Sequence, residues 1–128
     1  MMNETFVDTI NDAVDITVLT SFEGVQIEGE PDLIVELIDL YLEDAPLRMA
    51  SLQEAVAEAD GGGIKRAAHA LKGSSANLGA RRVAELCEQL ERAEDDNSLQ
   101  EVRALLLSLE REFEFVRQTF SAERLRRL

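Results

Sequence analysis

From Ile34 onward, apolar residues return every three or four positions for most of the remaining chain, a period that gathers them on one side of an α-helix. The first such stripe is Ile34, Leu37, Ile38, Tyr41, Ala45, Met49, Leu52, Val56 and Ala59. Proline at position 31, followed by Asp32 and Glu36, marks its start, since proline loses nothing in a first turn and acids suit the positive end of the helix dipole. Pro46 is expected to kink or split this helix, because it removes one backbone bond and crowds the preceding turn. Asp60-Gly61-Gly62-Gly63 reads as a tight turn, and a second helix follows from near Ile64 to Asn77-Leu78-Gly79, where Gly79 can take the left-handed conformation that closes a helix. A third runs from about Ala80 to Glu94 with Val83, Leu86, Cys87 and Leu90 inside, broken by Asp95-Asp96-Asn97. Ser98 caps the last, whose seam is Leu99, Val102, Leu106, Leu109, Phe113, Val116 and Phe120. Alternating strand patterns are absent. Four amphipathic helices on short connections imply an all-α, antiparallel up-down-up-down bundle. A short helix over Ile16 to Phe22, capped by Asp15 and ended by Gly24, is expected to cover one end. Residues Met1 to Val14 read as a loose tail ahead of a bundle domain over 15–128.

With 128 residues and 45% apolar content, the chain fits one core and one domain. A single cysteine, Cys87, cannot form an internal disulfide and reads as a buried core thiol. The first residues lack the pattern of a signal peptide, and no run approaches the ~20 apolar residues that span a bilayer. A cytoplasmic, monomeric protein is the resulting expectation. The net charge of −13 argues against nucleic acid and anionic membranes as partners. That charge is uneven: Met1 to Asp60 holds fifteen acids and one base, Arg48, whereas Gly61 to Ala84 holds no acid and five bases, Lys65, Arg66, Lys72, Arg81 and Arg82. The only histidine, His69, sits within this basic island.

At about 100° per residue, with Ile64 as zero, Ala67, Ala68, Leu71, Ser75 and Leu78 fall on one side of the second helix. His69 falls near 140°, beside Lys65, Lys72, Gly73 and Ala76, and so points outward by the same rotation. Burying it would turn Ala68 and Leu71 to water. An outward imidazole is a nucleophile in its neutral form, one ring nitrogen bonding to phosphorus while the other holds a proton. Lys72, one turn on, lies within reach of the oxygens of a phosphoryl group so formed, and Lys65, one turn back, adds to the field. Gly73 removes a side chain beside the ring, where in-line transfer needs the approaching oxygen within ~3–3.5 Å. One histidine beside two lysines makes a poor metal site.

The run Ala68-His69-Ala70-Leu71-Lys72-Gly73-Ser74-Ser75-Ala76-Asn77-Leu78-Gly79-Ala80 closely resembles the signature of histidine-containing phosphotransfer (HPt) domains of two-component phosphorelays. Similarity continues through Leu86-Cys87-Glu88 and Leu90-Glu91, and less specifically through Pro31 to Asp60. The resemblance implies a phosphoryl carrier without an ATP-binding domain of its own. His69 would be phosphorylated, Lys72 would contact the phosphoryl group, and Gly73 would clear space for a receiver domain. Members of the family often carry Gln or Glu at the position of Glu91, facing the histidine, which implies a role in orienting the ring. Lys65, Arg66 and Ala76 would form the surrounding partner surface. The implied partners are response-regulator receiver domains and a sensor histidine kinase, with Mg²⁺ on the receiver and no cofactor held by this chain. Two other readings compete. An autophosphorylating histidine kinase would place an acid directly after the histidine, where this chain has Ala70, and would need a nucleotide fold that four helices leave no room for. A bundle that docks a receiver or kinase without taking phosphate would have no use for His69 with Lys72.

Overall fold

The computed structural model describes residues 13–96 and 98–128. Helix α1 (Ile16–Thr20) runs into a 3-10 turn (Ser21–Val25), and four long helices follow: α2 (Leu33–Ala57), α3 (Gly61–Asn77), α4 (Arg81–Asp96) and α5 (Leu99–Arg127). Consecutive long helices pack side by side, and α5 returns to α2, so the four close a ring around one core. Short connections force each helix to run back along its predecessor, which gives the up-down-up-down bundle expected from the periodicity. No helix among the described residues is long and apolar enough to cross a membrane.

The stripes point inward for most of their length, with Leu37 and Leu86 only partly buried and Ala59, past the end of α2, exposed. Ile34, Ile38, Tyr41, Ala45, Met49, Leu52 and Val56 of α2 are buried, as are Val83, Cys87 and Leu90 of α4 and Val102, Leu109, Phe113, Val116 and Phe120 of α5. Leu106 is only partly buried, and Leu99 is exposed at the start of α5. The seam is nonetheless long enough that α5 continues past Phe120 to Arg127.

Local chemistry sets the helix ends, in places differently from the sequence reading. The carboxylate of Asp32 accepts bonds from the Ile34 and Val35 amides, so Asp32 is the cap and Pro31 lies just outside α2. Pro46 does not split the helix, which runs unbroken through it. Ala45 and Met49, on either side of the proline, are both buried, and their packing offsets a break that costs about 3 kcal/mol in isolation. Nor are Gly61, Gly62 and Gly63 a turn. They form the first turn of α3, with the Asp60 side chain accepting from the Gly63 amide.

The actual reversal is Glu58 to Asp60. The Ala59 amide bonds to the Val56 carbonyl and the Asp60 amide to the Ala55 carbonyl, with Ala59 itself at φ +52°. This is the paired-bond closure usually built on glycine, here built on alanine. Helix α3 closes the same way with glycine: Gly79 has φ +84°, its amide bonds to the Ala76 carbonyl, and the Ala80 amide bonds to the Ser75 carbonyl. The Gly79 carbonyl then accepts from the Asp15 amide, which seats the N-terminal segment on the end of α3. Asp15 caps α1 as expected. Ala13 and Val14 are buried, so packing begins before the boundary expected at Asp15, while residues 1–12 of the expected tail lie outside the described residues.

Candidate functional site

Helix α3 buries Ile64, Ala67, Ala68, Leu71 and Ser75 and turns His69 outward, with 72% of its side chain exposed. The Tyr41 hydroxyl bonds to the Ser75 hydroxyl from α2, an internal link between two helices that also fixes the rotation of α3. The position of the imidazole therefore follows from what the opposite side of the helix buries.

The helix period set His69 beside cations, and its nearest ionic partner is Glu91, the acid that the resemblance set facing the ring. Nδ1 lies 3.3 Å from Oε1 of Glu91 and 3.4 Å from Oε2. Glu91 projects from α4, with 16% of its side chain exposed, and its Oε1 also accepts from Nζ of Lys72 at 2.9 Å. One carboxylate thus holds both the ring and the lysine. Burial opposes ionisation of Glu91, but the bonds from Lys72 and His69 outweigh it and hold the carboxyl below the usual carboxylate range. The Glu91 bond in turn holds the Lys72 ammonium above its usual range. An ionised carboxylate accepts and does not donate, so in the neutral ring the proton belongs on Nδ1 and the lone pair on Nε2.

A side chain grown from Gly73 would meet no atom within 4 Å, so this glycine is not spent on helix packing. It opens onto a shallow groove between α3 and α4 lined by Lys72, Gly73, Ala76, Ala84, Glu85 and Glu88. Ala76 is exposed there, and Lys65 is exposed one turn before His69. Arg66 lies apart, in a groove with Arg48, Glu54, Glu58 and Asp60. Glu85 and Glu88 were not singled out in the sequence. Their spacing from Glu91, three residues at a time along α4, was the signal that they share its side. Among the described residues, no group of three or more acids, cysteines or histidines is placed to hold a metal ion.

The family model for the Hpt domain matches residues 36–119, about two thirds of the chain, and includes every residue of this site. The chain belongs to the Hpt domain family. Two plant proteins are similar in sequence: histidine-containing phosphotransfer protein 2 of Arabidopsis thaliana, 32% identical over 71 residues, and protein 5 of the same plant, 34% identical over 65. These matches cover 53% and 48% of this Hpt chain and 46% and 41% of the relatives, so the likeness spans less than half of each plant protein. Among solved structures, histidine-containing phosphotransfer protein B (HptB) from Pseudomonas aeruginosa PAO1 superposes with a TM-score of 0.79 at 36% identity, covering 89% of this chain and 96% of that one. The maize protein ZmHP2 superposes with a TM-score of 0.78 at 23% identity, over 92% of this chain and 88% of its own, a likeness of fold.

Proposed function

We propose that this Hpt domain is a phosphoryl carrier, taking a phosphoryl group on Nε2 of His69 from the aspartate of a response-regulator receiver domain and returning it to another. The observation that carries this reading is the imidazole itself: exposed to an approaching protein, with Nδ1 held by Glu91 and Nε2 unobstructed. As Nε2 bonds to phosphorus, the P–O bond of the aspartyl phosphate breaks and the carboxylate leaves with its electron pair. Nδ1 keeps its proton, so the ring gains positive charge beside the Glu91 carboxylate. Lys72 neutralises the phosphoryl oxygens, and Gly73 leaves the receiver room for in-line approach.

The partners in this reading are receiver domains, which bring their own Mg²⁺, and a sensor histidine kinase at the head of the relay. The domain acts as a monomer in the cytoplasm, binds no cofactor, and catalyses no reaction independently of its partners. Lys65 and Ala76 border the docking surface, and Arg66 contributes charge from its flank.

Mixing the protein with a phosphorylated receiver domain from the same genome tests the reading. Acid-labile phosphate is expected on His69, lost in His69→Gln and slower to form in Lys72→Ala. Binding without any label would leave a docking bundle, and label retained in His69→Gln would remove the assignment.

A further inference from the structure

The segment that joins the 3-10 turn to α2 turns apolar side chains outward and is built to keep them there. Val25 and Ile27 are 62% and 67% exposed, and with Pro31 and Leu33 they line one shallow groove bordered by Glu30 and Glu36. Apolar residues scattered singly over a surface are ordinary, whereas four converging on one depression mark a place that something covers. The Gln26 side chain fixes the shape of this segment. Its amide nitrogen donates to the carbonyls of Ile27, Glu30 and Pro31, and its oxygen accepts from the Leu33 amide. The Glu30 amide bonds to the Ile27 carbonyl across a turn that Gly29 completes at φ +87°. Arg127 ties down both ends through Glu23 and Asp32. The groove thus exists before anything binds, and little ordering remains for a partner to impose.

Charge and backbone restrict what fits. Among the described residues, Glu28, Glu30 and Glu36 take part in no ion pair. The bases in the last turn of α5 are already engaged, Arg124 by Asp39, Arg126 by Glu123, and Arg127 by Glu23, Asp32 and Glu123. An occupant therefore meets uncompensated carboxylates and is favoured by cations at its edges. A strand laid along the segment would need open backbone groups, but Gln26 holds three of its carbonyls and Pro31 has no amide hydrogen. Contact through side chains remains. We propose that Val25, Ile27, Pro31 and Leu33 form a docking groove for an amphipathic helix of a partner protein, its apolar side in the groove and Lys or Arg on its flanks against Glu28, Glu30 and Glu36.

This surface lies apart from the imidazole and does not depend on the carrier reading. Leu40 shares a groove with Ser74 and Asn77 of α3, and Leu33 stands one heptad, about 10 Å, further along α2 from the level of His69. A helix seated there leaves the ring open to a second protein, so one partner can be held while another reacts.

The test titrates the full-length protein, methyl-labelled at Val, Leu and Ile, with a synthetic helical peptide of about 18 residues carrying leucine along one side and lysine on its flanks. Saturable NMR shifts are expected at Val25, Ile27 and Leu33 and not at Leu107, which is equally exposed on α5. Ile27→Ser should weaken binding about tenfold or more, with a thermal midpoint close to wild type because the side chain is exposed. Glu30→Gln combined with Glu36→Gln should weaken it about three- to tenfold at low salt, a difference that added salt erases. Absence of saturable shifts in the groove, or equal affinity in Ile27→Ser, would overturn the proposal. So would a peptide with glutamate flanks that binds as tightly. Sedentation of the free protein supplies the last check: a concentration-dependent dimer lost in Ile27→Ser would give the groove to a second copy of this chain and overturn the proposal as well.

Discussion

The hydroxyls of Tyr41 and Ser75 stand 2.8 Å apart inside the bundle, and this bond joins α2 to the buried side of the helix that carries His69. Both residues are almost wholly removed from solvent, with Tyr41 also edge-on to Phe113 and Phe120. Burial pushes the Tyr41 hydroxyl well above the usual phenol range, so it stays protonated and available for this bond. Ser75→Ala should strand the tyrosine hydroxyl and cost about 1–3 kcal/mol, read as a lower urea midpoint. Adding Tyr41→Phe removes the stranded group and should recover part of that loss. A double variant less stable than the sum of the two singles would contradict this account.

Gly73 separates stability from docking. Its Cα faces open space within a helix, so Gly73→Ala should raise stability by about 0.5–1 kcal/mol. A longer side chain at the same point should interfere only when a partner arrives. Gly73→Gln is therefore expected to melt no lower than wild type yet take phosphate from a receiver more slowly. Equal transfer rates would remove the clearance role.

The two helix closures should respond in opposite directions. Ala59 sits at φ +52°, where a side chain costs about 1–2 kcal/mol, so Ala59→Gly should stabilise the fold by a net of about 0.5–1 kcal/mol after the added freedom of the unfolded chain. Gly79→Ala meets the same backbone cost, and its new methyl would press into the Asp15 carbonyl and against Val18. It should lower the thermal midpoint more than Ala59→Gly raises it. Calorimetry of the pair, side by side, gives the answer.

Acid should weaken the site in a defined direction. The Glu91 carboxyl is held below its ordinary value of 4.5, so its contribution to stability is fully present above that value and is lost as pH falls through the lower folded one. The Lys72 ammonium is held above 10.5, so its share is present below that value and disappears only as pH rises past the folded one. Between these limits the pair is intact. Denaturation curves on acidification should accordingly show wild type losing more stability than Glu91→Gln, with the two converging once Glu91 is protonated.

The parts of this fold that depend on periodicity were legible. Ile64, Ala67, Ala68, Leu71, Ser75 and Leu78 are buried where a 3.6-residue repeat puts them, and His69 is exposed for the same reason. Less legible were features decided by contacts distant in sequence. Gly63 reads as a turn residue, yet it is helical, and a Cβ there would stand 2.5 Å from Oδ2 of Asp60 and 3.1 Å from Ala55. Its lack of a side chain leaves room for the capping carboxylate of Asp60 and for Ala55 at the end of α2, an approach set by how the two helices meet. Arg127 offered no signal either, although it is only 11% exposed and pairs with Glu23, Asp32 and Glu123 from three parts of the chain. At the site, the helix period alone showed only the cations, because Glu91 arrives from another helix and was legible through the family resemblance rather than through spacing.

The shared carboxylate and the buried seam of α3 together make reactivity a matter of helical phase. Inserting a single residue between Ile64 and Ala68 would wind everything after it by about 100°, carrying the imidazole away from α4 unless the apolar seam is given up. An extra residue among Glu58 to Asp60 leaves that winding untouched. Length variation a few positions upstream of the histidine thus spares this phase even where it costs the closure at Ala59, and immediately before the histidine it is ruinous, although neither change replaces an atom of the site.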